Sequence, residues 1–199
     1  WPCWGVKVNA TAEGETKHSV PNDSSKSRKN IMQILNSGKN FSTMDLSGCM
    51  LNDIDFSEAS LFRSKLQGAT MQNIKAHKCN FEGADMEGVD LTGADLTGAD
   101  LRSCNLANAD LTGATMKDAD LAGTNLTNIQ GPKAVRDGGH SALLGKQCGL
   151  SPMLMREGGW HAREMKRVGW TAEEMKTGNW IAQEMKGGRY PAKEMKDGG

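Results

Sequence analysis

The 199-residue sequence has few aromatic residues, five prolines and no long apolar run. Aromatic residues make up 5% of the chain and apolar residues 37%, which is little for a domain with a thick central core. No segment approaches the roughly eighteen consecutive apolar residues of a transmembrane helix, so we expect a soluble or peripheral protein. The chain also lacks GxSxG, GxGxxG, GxxxxGK and HExxH segments. These absences disfavour an enzyme and a membrane-embedded protein.

Charge is distributed unevenly, although the formal net charge is zero. Residues 1–40 carry six Lys/Arg and three Asp/Glu, residues 41–132 carry six and thirteen, and residues 133–199 carry twelve and eight. The chain therefore has an acidic middle, with a net charge of −7, between two basic ends. Because local fields select partners, this distribution says more about function than the total does.

A five-residue period fills the acidic middle. Every fifth residue from Phe41 to Leu126 is large and apolar, with Ala76 as the small exception. Two places before each lies a second series, mostly small, that begins at Lys39 and ends at Thr124. Neither the helical period of 3.6 nor the strand period of 2 produces this spacing, so it indicates a solenoid built from short repeats.

The repeat units become regular from Val89, where they read Val-Asp-Leu-Thr-Gly, Ala-Asp-Leu-Thr-Gly and Ala-Asp-Leu-Arg-Ser. This pattern resembles the pentapeptide-repeat family, whose consensus is A(D/N)LXX. The resemblance implies a mainly β fold, a right-handed quadrilateral β-helix with four pentapeptides per coil. About four and a half coils would form a rod of roughly 22 Å. Frequent Gly or Asn in the fifth place suits the positive φ of type II turns.

We expect five segments along the chain. An N-terminal extension covers 1–26, a capping helix 27–38, the β-helix 39–131, a cap or linker 132–150, and an array of short α-helices 151–199. Ile31, Ile34 and Leu35 form the apolar stripe of the capping helix, and Gly38 is placed to end it. Caps are expected because solenoid ends expose backbone edges and apolar surface.

The predicted helical array has a ten-residue period. Units that begin at Trp160, Trp170, Trp180 and Tyr190 share the pattern aromatic-x-Ala-x-Glu-Met-Lys, and a degenerate unit begins at Leu150. Each unit predicts a two-turn helix, because Thr171 with Glu174 makes a capping box, Pro191 suits a first helical position, and Gly follows the Lys. The pattern is similar to decapeptide arrays of microbial eukaryotes, especially algae.

The large residues of this array are the candidate protein-interaction residues. Aromatic side chains are frequent interface anchors, and regularly spaced ones stand out in a chain so poor in them. The alternative is that they form the core of the array itself, and both interpretations can hold together. The candidates are Trp160, Trp170, Trp180, Tyr190, Met165, Met175, Met185 and Met195.

Cysteine, histidine and carboxylate residues give no sign of a catalytic, cofactor-binding or metal site. Three of the five cysteines lie in the small apolar series and predict core packing, whereas Cys3 and Cys148 could pair in an oxidising compartment or stay free. The histidines lack partners at ligand spacing. Successive aspartates such as Asp85, Asp90 and Asp95 would face different sides of a square coil. The histidines are His18, His77, His140 and His161.

These observations predict a non-catalytic scaffold that binds other proteins in a larger assembly. The chain begins with Trp1, which is typical of a processed mature chain or a trimmed one. Since the family is abundant in cyanobacteria and thylakoid lumens, the resemblance suggests a peripheral, lumen-side subunit of a photosynthetic membrane complex such as a photosystem in the chloroplast. The alternative is a DNA mimic acting on a topoisomerase, since residues 82–120 carry nine acids. That stretch is short, and we expect no nucleic-acid partner.

Overall fold

The computed structural model of the chain describes residues 24–195, so the predicted N-terminal extension lies almost wholly outside the described residues. Helix α1 spans Ser24–Ser37 and begins three residues earlier than the predicted 27–38. Ile31 is buried, and Ile34 and Leu35 are partly buried against the apolar core. Gly38, with a φ of 144°, ends the helix, and the Lys39 N–H then bonds to the Ile34 carbonyl at 3.0 Å. The apolar stripe and its glycine stop are both present.

Residues 40–130 form a coil that closes every twenty residues. Parallel bridges join Asn40 to Ser60, and the same offset continues to the last bridge, between Asp110 and Gln130. The N–H of each large inward residue from Phe41 to Leu111 bonds to a carbonyl in the next coil, as from Leu101 to Asp120 at 2.9 Å. Four pentapeptides therefore make one coil.

Both apolar series point inward. The large series from Phe41 to Leu126 is at most 1% exposed, and the small series from Met44 to Thr124 is at most 8% exposed. Lys39 is the exception at the N-terminal end of the small series, because it is half-buried and its Nζ donates to the Ser57 carbonyl at 2.7 Å. A T-shaped contact between Phe41 and Phe56, with ring centroids 5.4 Å apart, fills the first coil.

Each pentapeptide contains one tight turn. The Met44 N–H bonds to the Phe41 carbonyl at 3.2 Å, and Thr43 before it has a φ of 62°. One positive φ, at the third residue of a turn closed in this way, matches type II. Seven of these third positions hold neither Gly nor Asn, at a conformational cost of about 1 kcal/mol each. They are Thr43, Asp53, Glu58, Arg63, Lys78, Ser103 and Asp118.

The secondary structure of the described residues differs from the mainly β content that the sequence predicts. The coils are joined by isolated single-residue bridges, and residues 24–195 contain no continuous strand. The cause is the short side of the square coil. Each side is one pentapeptide, and because most of its residues form the turn and the corner, only one residue in five forms a β-bridge. The fold is a β-helix by topology, whereas its regular secondary structure is helical.

The helical array begins at Lys133, inside the segment that was expected to be a cap or linker. Two helices occupy residues 132–150. The sequence conceals them, because His140 and Gly145 stand where later units carry an aromatic residue and a methionine. The seven helices of the array are α2 Lys133–Asp137, α3 Ala142–Gln147, α4 Pro152–Glu157, α5 Ala162–Arg167, α6 Ala172–Thr177, α7 Ala182–Gly187 and α8 Ala192–Met195.

Alternate helices of the array stack on one another. Helix α3 packs on α5, α4 on α6, α5 on α7 and α6 on α8, so two helices make one turn of twenty residues. The first turn sits on the last β coil, where a Cβ built on Gly138 would lie 2.7 Å from the Met116 carbonyl oxygen. The Leu126 N–H bonds to the Cys148 carbonyl at 2.7 Å and continues the ladder into the array. Within residues 24–195, the structure has no helix with the length and hydropathy needed to cross a bilayer.

Candidate interaction surfaces

The predicted interaction residues lie mainly inside the array. Met165, Met175 and Met185 are at most 1% exposed, and Met195 is also buried. Among the aromatic residues, Trp160 is 2% exposed and Trp180 5%. Tyr190 is buried as well, while Trp170 is partly buried against the same core. The array therefore uses these side chains as its own core, the second of the two interpretations that the sequence left open.

Polar atoms of these aromatic residues join successive turns of the array. The Trp180 Nε1–H donates to the Pro152 carbonyl at 3.0 Å, and the Tyr190 hydroxyl donates to the Trp170 carbonyl at 2.9 Å. The Nε1–H of Trp170 is buried and has no hydrogen-bond partner in the described part of the chain. Trp170 is thus the least satisfied of the four aromatic residues.

Three basic residues of the array each cover an aromatic ring one turn away. Lys146 Nζ lies 4.5 Å from the centre of the Trp170 ring, and Lys166 Nζ lies 5.1 Å from that of Tyr190. Arg136 makes the corresponding contact with Trp160 at 5.7 Å. Such cation–π contacts stabilise by about 0.5–1 kcal/mol at exposed sites. The lysine of the decapeptide pattern therefore has a structural role.

The glutamates of three units, Glu164, Glu174 and Glu184, close the start of their helices. Glu174 accepts from the Thr171 N–H at 2.7 Å, and the Glu174 N–H bonds to the Thr171 hydroxyl at 3.2 Å. This is the predicted capping box. The backbone bond from Thr171, followed by that from its hydroxyl, lowers the pKa of Glu174. Glu164 caps α5 in the same way and also binds Arg136 at 3.0 Å.

The outward carboxylates of the β-helix bond to their own backbone. Asp95 accepts from the Thr97 N–H at 3.0 Å, and most Asp or Asn residues at this register position accept from the residue two places on. Bonds from Thr97 hold the pKa of Asp95 below its usual value. These aspartates stabilise turns, which explains why they recur without forming a site. Within residues 24–195, no group of three or more His, Cys, Asp or Glu residues is arranged to hold a metal ion.

Side-chain ladders connect neighbouring coils on the outer faces. Arg102 lies among three acids and contacts Glu82 at 3.1 Å, Asp100 at 2.6 Å and Asp120 at 3.7 Å. On other faces, Gln72 donates to Asp90 at 2.7 Å, and Asn125 donates to Asn105 at 3.0 Å. Because the acids are divided among several faces and partly neutralised, no face presents a continuous acidic track.

The inward cysteines are shielded from solvent. Burial raises the pKa of Cys104 to about 12 and also raises that of Cys79, so both thiols stay protonated at neutral pH. Cys148 is buried too, and its Sγ lies 3.3 Å from the Leu121 carbonyl oxygen in the junction with the array. Its possible partner Cys3 lies outside the described residues. Core packing of the repeat cysteines agrees with the expectation from their register.

The histidines are separated from one another. His140 packs at the junction, with Nε2 3.1 Å from the Met116 carbonyl oxygen, and burial lowers its pKa. His77 is exposed on the β-helix, and His161 is exposed at the start of α5. His18 lies outside the described residues.

Two grooves lie on the array where α5 faces α7. The larger, about 590 Å³, is lined by residues of α5 and α7 together with Trp160 and Trp180. The smaller, about 410 Å³, is lined by Arg163, Lys166, Arg167, Gly188 and Arg189. Sequence reasoning missed both grooves. One signal was available, since Arg163 and Arg167 place two like charges four residues apart, an arrangement that disfavours a helix.

Comparison with known proteins agrees with the coil geometry. Residues 40–75, 54–93 and 90–128 match the family profile described as pentapeptide repeats (8 copies). Comparison with curated proteins gives no match.

Several solved structures resemble parts of the chain. The pentapeptide repeat protein Rfr23 of the cyanobacterium Cyanothece is 30% identical, with a TM-score of 0.43, over 43% of this chain and 58% of its own. A pentapeptide repeat protein of the Arabidopsis thaliana thylakoid lumen is 28% identical, with a TM-score of 0.26, over 42% and 61%. Full-length QnrB1, a plasmid-mediated fluoroquinolone resistance protein, is 23% identical, with a TM-score of 0.27, over 45% and 62%. The chain spans less than two thirds of the length of each.

Proposed function

We propose that this member of the pentapeptide-repeat family, whose residues 40–128 match the family profile, is a non-catalytic scaffold that binds other proteins. Its β-helix and helical array form one solenoid, since both advance by twenty residues per turn. A scaffold of this kind binds its partners through the side chains on its outer surface, and the stacking of the turns fixes the order of those side chains along the solenoid.

The observation that carries this proposal is the opposite charge of the two parts of the solenoid. Residues 41–132 have a net charge of −7, whereas residues 133–199 have a net charge of +4. Bonds within and between coils occupy many of the acids of the β-helix, including Asp95 and the three acids around Arg102. The array instead exposes arginines in a groove. A solenoid with one acidic and one basic part can orient a partner, because complementary charges on the two proteins fix how they align when they bind.

In its more specific form, the proposal places the scaffold on the lumenal side of a photosynthetic membrane complex as a peripheral subunit. The support comes from the sequence, namely the family's occurrence in thylakoid lumens and the resemblance of the decapeptides to algal arrays. Tagging the native protein, isolating thylakoids and digesting them with protease from outside tests the compartment. Protection of the tag until the membrane is ruptured is expected, and digestion in intact thylakoids would contradict the lumenal location.

Native co-purification tests the scaffold itself. The tagged full chain is extracted from its own cells in mild detergent and sized on a native gel, next to a variant that ends at residue 150. We expect the full chain to migrate in a larger complex and the shortened chain to leave it. The β-helix of the shortened chain should stay folded, since its bridges lie within residues 40–130. A full chain that is monomeric in the native extract would contradict the scaffold proposal.

A second candidate function is a DNA mimic that acts on a topoisomerase, favoured by the nine acids of residues 82–120. A mimic of duplex DNA must approach one charge per roughly 1.7 Å of axis. The acids here lie on several faces, and Arg102 neutralises part of one face. A supercoiling assay with purified topoisomerase distinguishes the candidates, because inhibition that is lost in an Asp90→Asn, Asp110→Asn variant would favour the mimic.

A further inference from the structure

We propose that the two grooves between α5 and α7 together form a docking site for an acidic segment of a partner protein. This inference rests on the proposed scaffold function and specifies the surface and the partner chemistry. The site comprises the larger groove above Trp160 and Trp180 and the smaller, basic groove beside it. Arg163 lines both grooves, so a single extended segment can contact the two.

The acids at the larger groove are already engaged within the chain. Glu164 accepts from the His161 N–H at 2.8 Å and from Arg136 at 3.0 Å. Glu184 accepts from the Ile181 N–H at 2.9 Å and from Arg156 at 3.2 Å. Each carboxylate is therefore paired with an arginine other than Arg163.

The cations of the smaller groove have no such acids among the described residues that line it. None of the five residues that line this groove is acidic. Lys166 is held by the Arg189 carbonyl and by the Tyr190 ring, whereas the guanidinium groups of Arg163, Arg167 and Arg189 are exposed and make no ion pair within the described chain. Arginine presents a planar fork of donors that matches a carboxylate in two parallel hydrogen bonds. The groove thus has the chemistry to bind carboxylates.

Gly187 provides an observation that is independent of charge. Glycine near the end of a helix costs about 1 kcal/mol relative to alanine, and equivalent positions carry Gln147, Glu157, Arg167 and Thr177. A Cβ on Gly187 would meet no atom within 4 Å, so internal packing does not require glycine there. Gly187 lines the larger groove, and any side chain at this position would project into the open space. The missing side chain keeps the groove open.

An acidic polypeptide fits this site better than a membrane or a second copy of the chain. A flat lipid surface would reach the exposed arginines, but it would not enter a groove that runs above two buried indole rings. A second copy offers acids of the β-helix, but those acids are divided among several faces and many bond within the coil. An extended segment with carboxylates next to an apolar residue matches a basic groove that lies beside an apolar one.

Fluorescence anisotropy with the full-length protein tests the site. The probe is a fluorescein-labelled peptide of Asp and Glu with one central Phe, and its control replaces every acid with Asn or Gln. We expect the acidic peptide alone to bind. An Arg163→Gln, Arg167→Gln variant should weaken binding by about tenfold or more, because it removes two charge-assisted contacts. A Lys78→Gln, Lys117→Gln variant, with the same change in net charge on the β-helix, should bind like the wild type.

Gly187→Gln separates groove shape from charge. It introduces the side chain that α3 carries at the equivalent Gln147, and it should reduce peptide binding by about tenfold or more while the thermal melt stays unchanged or rises. Equal peptide binding by wild type, Gly187→Gln and the double arginine variant would overturn the assignment. Binding of phosphatidylglycerol vesicles that depends on these residues, without peptide binding, would also overturn it.

The native complex distinguishes this inference from the broader proposal. If the Gly187→Gln chain still joins the complex seen with wild type, the scaffold proposal stands and the groove assignment fails. If the wild-type chain joins no complex, the scaffold proposal itself fails. Loss of the complex in Gly187→Gln, with an unchanged melt, supports both.

Discussion

The β-helix and the helical array rise by the same twenty residues per turn, but their turns are joined differently. In the β-helix, backbone groups bond directly from coil to coil, as between Leu101 and Asp120. In the array, most backbone bonds stay within single helices, and side chains such as Trp180 and Lys146 connect the layers. Backbone pairing makes few demands on outward side chains. Side-chain pairing requires a particular type of residue at five of the ten positions of each unit.

This difference explains the two sequence patterns. The β-helix repeats its inward residues, its turn-forming Asp or Asn and a frequent Gly or Asn at the positive φ of the turn, and its other outward positions vary. The array repeats an aromatic residue, Ala, Glu, Met and Lys, since these form its core, its caps and its cation–π contacts. Positions that the pattern leaves variable, such as those of Arg163 and Gly187, are therefore free to form surface with another role.

The largest expected effect is the loss of both parts when the β-helix core is broken. Leu101→Asp places a carboxylate at a fully buried position between Phe81 and Leu121, where an unpaired charge costs several kcal/mol. The array should unfold as well, because its helices have four to six residues and are unstable without a support. A circular dichroism melt should show one cooperative loss, with Thr97→Asn as the surface control. A retained array signal would contradict this dependence.

A charge in the array core should have a smaller, one-sided effect. Met175 is fully buried, and Met175→Asp should unfold the last helices while the bridges of residues 40–130 persist. Hydrogen exchange followed by mass spectrometry measures this directly: amides of the β-helix should stay protected and those of α5–α8 should exchange rapidly. The same substitution at exposed Glu173 serves as the control. Loss of β-helix protection would show that the array is an essential cap.

Much of the fold follows from the sequence because inward side chains alone set the five-residue register. Phe41 through Leu126 could be assigned correctly since each large residue is buried against the residue twenty places away. The start of the array at Lys133 could not, because Gly145 and His140 fill the same structural positions with other residue types.

The candidate site could be predicted only in part. The repeated aromatic residues and methionines were visible, but whether they face inward depends on how helices stack two units apart. The basic groove was not predictable, because it depends on which arginines form ion pairs with acidic residues in other helices. Arg136 reaches Glu164 and Arg156 reaches Glu184, each twenty-eight residues away, whereas Arg163 reaches no acid in the part of the chain that the structure describes.

Adjacent glycines give a finer test of side-chain stacking in the array. A Cβ on Gly188 would lie 2.7 Å from the Ala162 carbonyl oxygen, whereas one on Gly187 meets no atom. Gly188→Ala should destabilise the array by about 1–3 kcal/mol, as overpacking typically does. Gly187→Ala should stabilise it by up to about 1 kcal/mol. Thermal melts followed by tryptophan fluorescence compare the two variants, and equal shifts would contradict the close approach of α7 to α5.

The smallest expected effect is the dependence of the β-helix on acid. The Thr97 hydroxyl, the Thr97 N–H and the nearby His77 hold the pKa of Asp95 below its usual value, although partial burial opposes them. A lowered pKa in the folded state stabilises the protein above the pKa of the unfolded chain, about 3.9, and that stability is lost as the pH falls through the folded value.

Asp95→Asn keeps an acceptor for the Thr97 N–H but cannot be protonated. We therefore expect nearly equal melting temperatures for this variant and the wild type at low pH, and a slightly lower one for the variant at neutral pH. Melts at pH 6 and at pH 3 measure the difference. A variant that loses as much stability in acid as the wild type would assign acid sensitivity to other carboxylates, with Glu174 of the array as the next to test, because bonds from Thr171 at the start of α6 also lower its pKa.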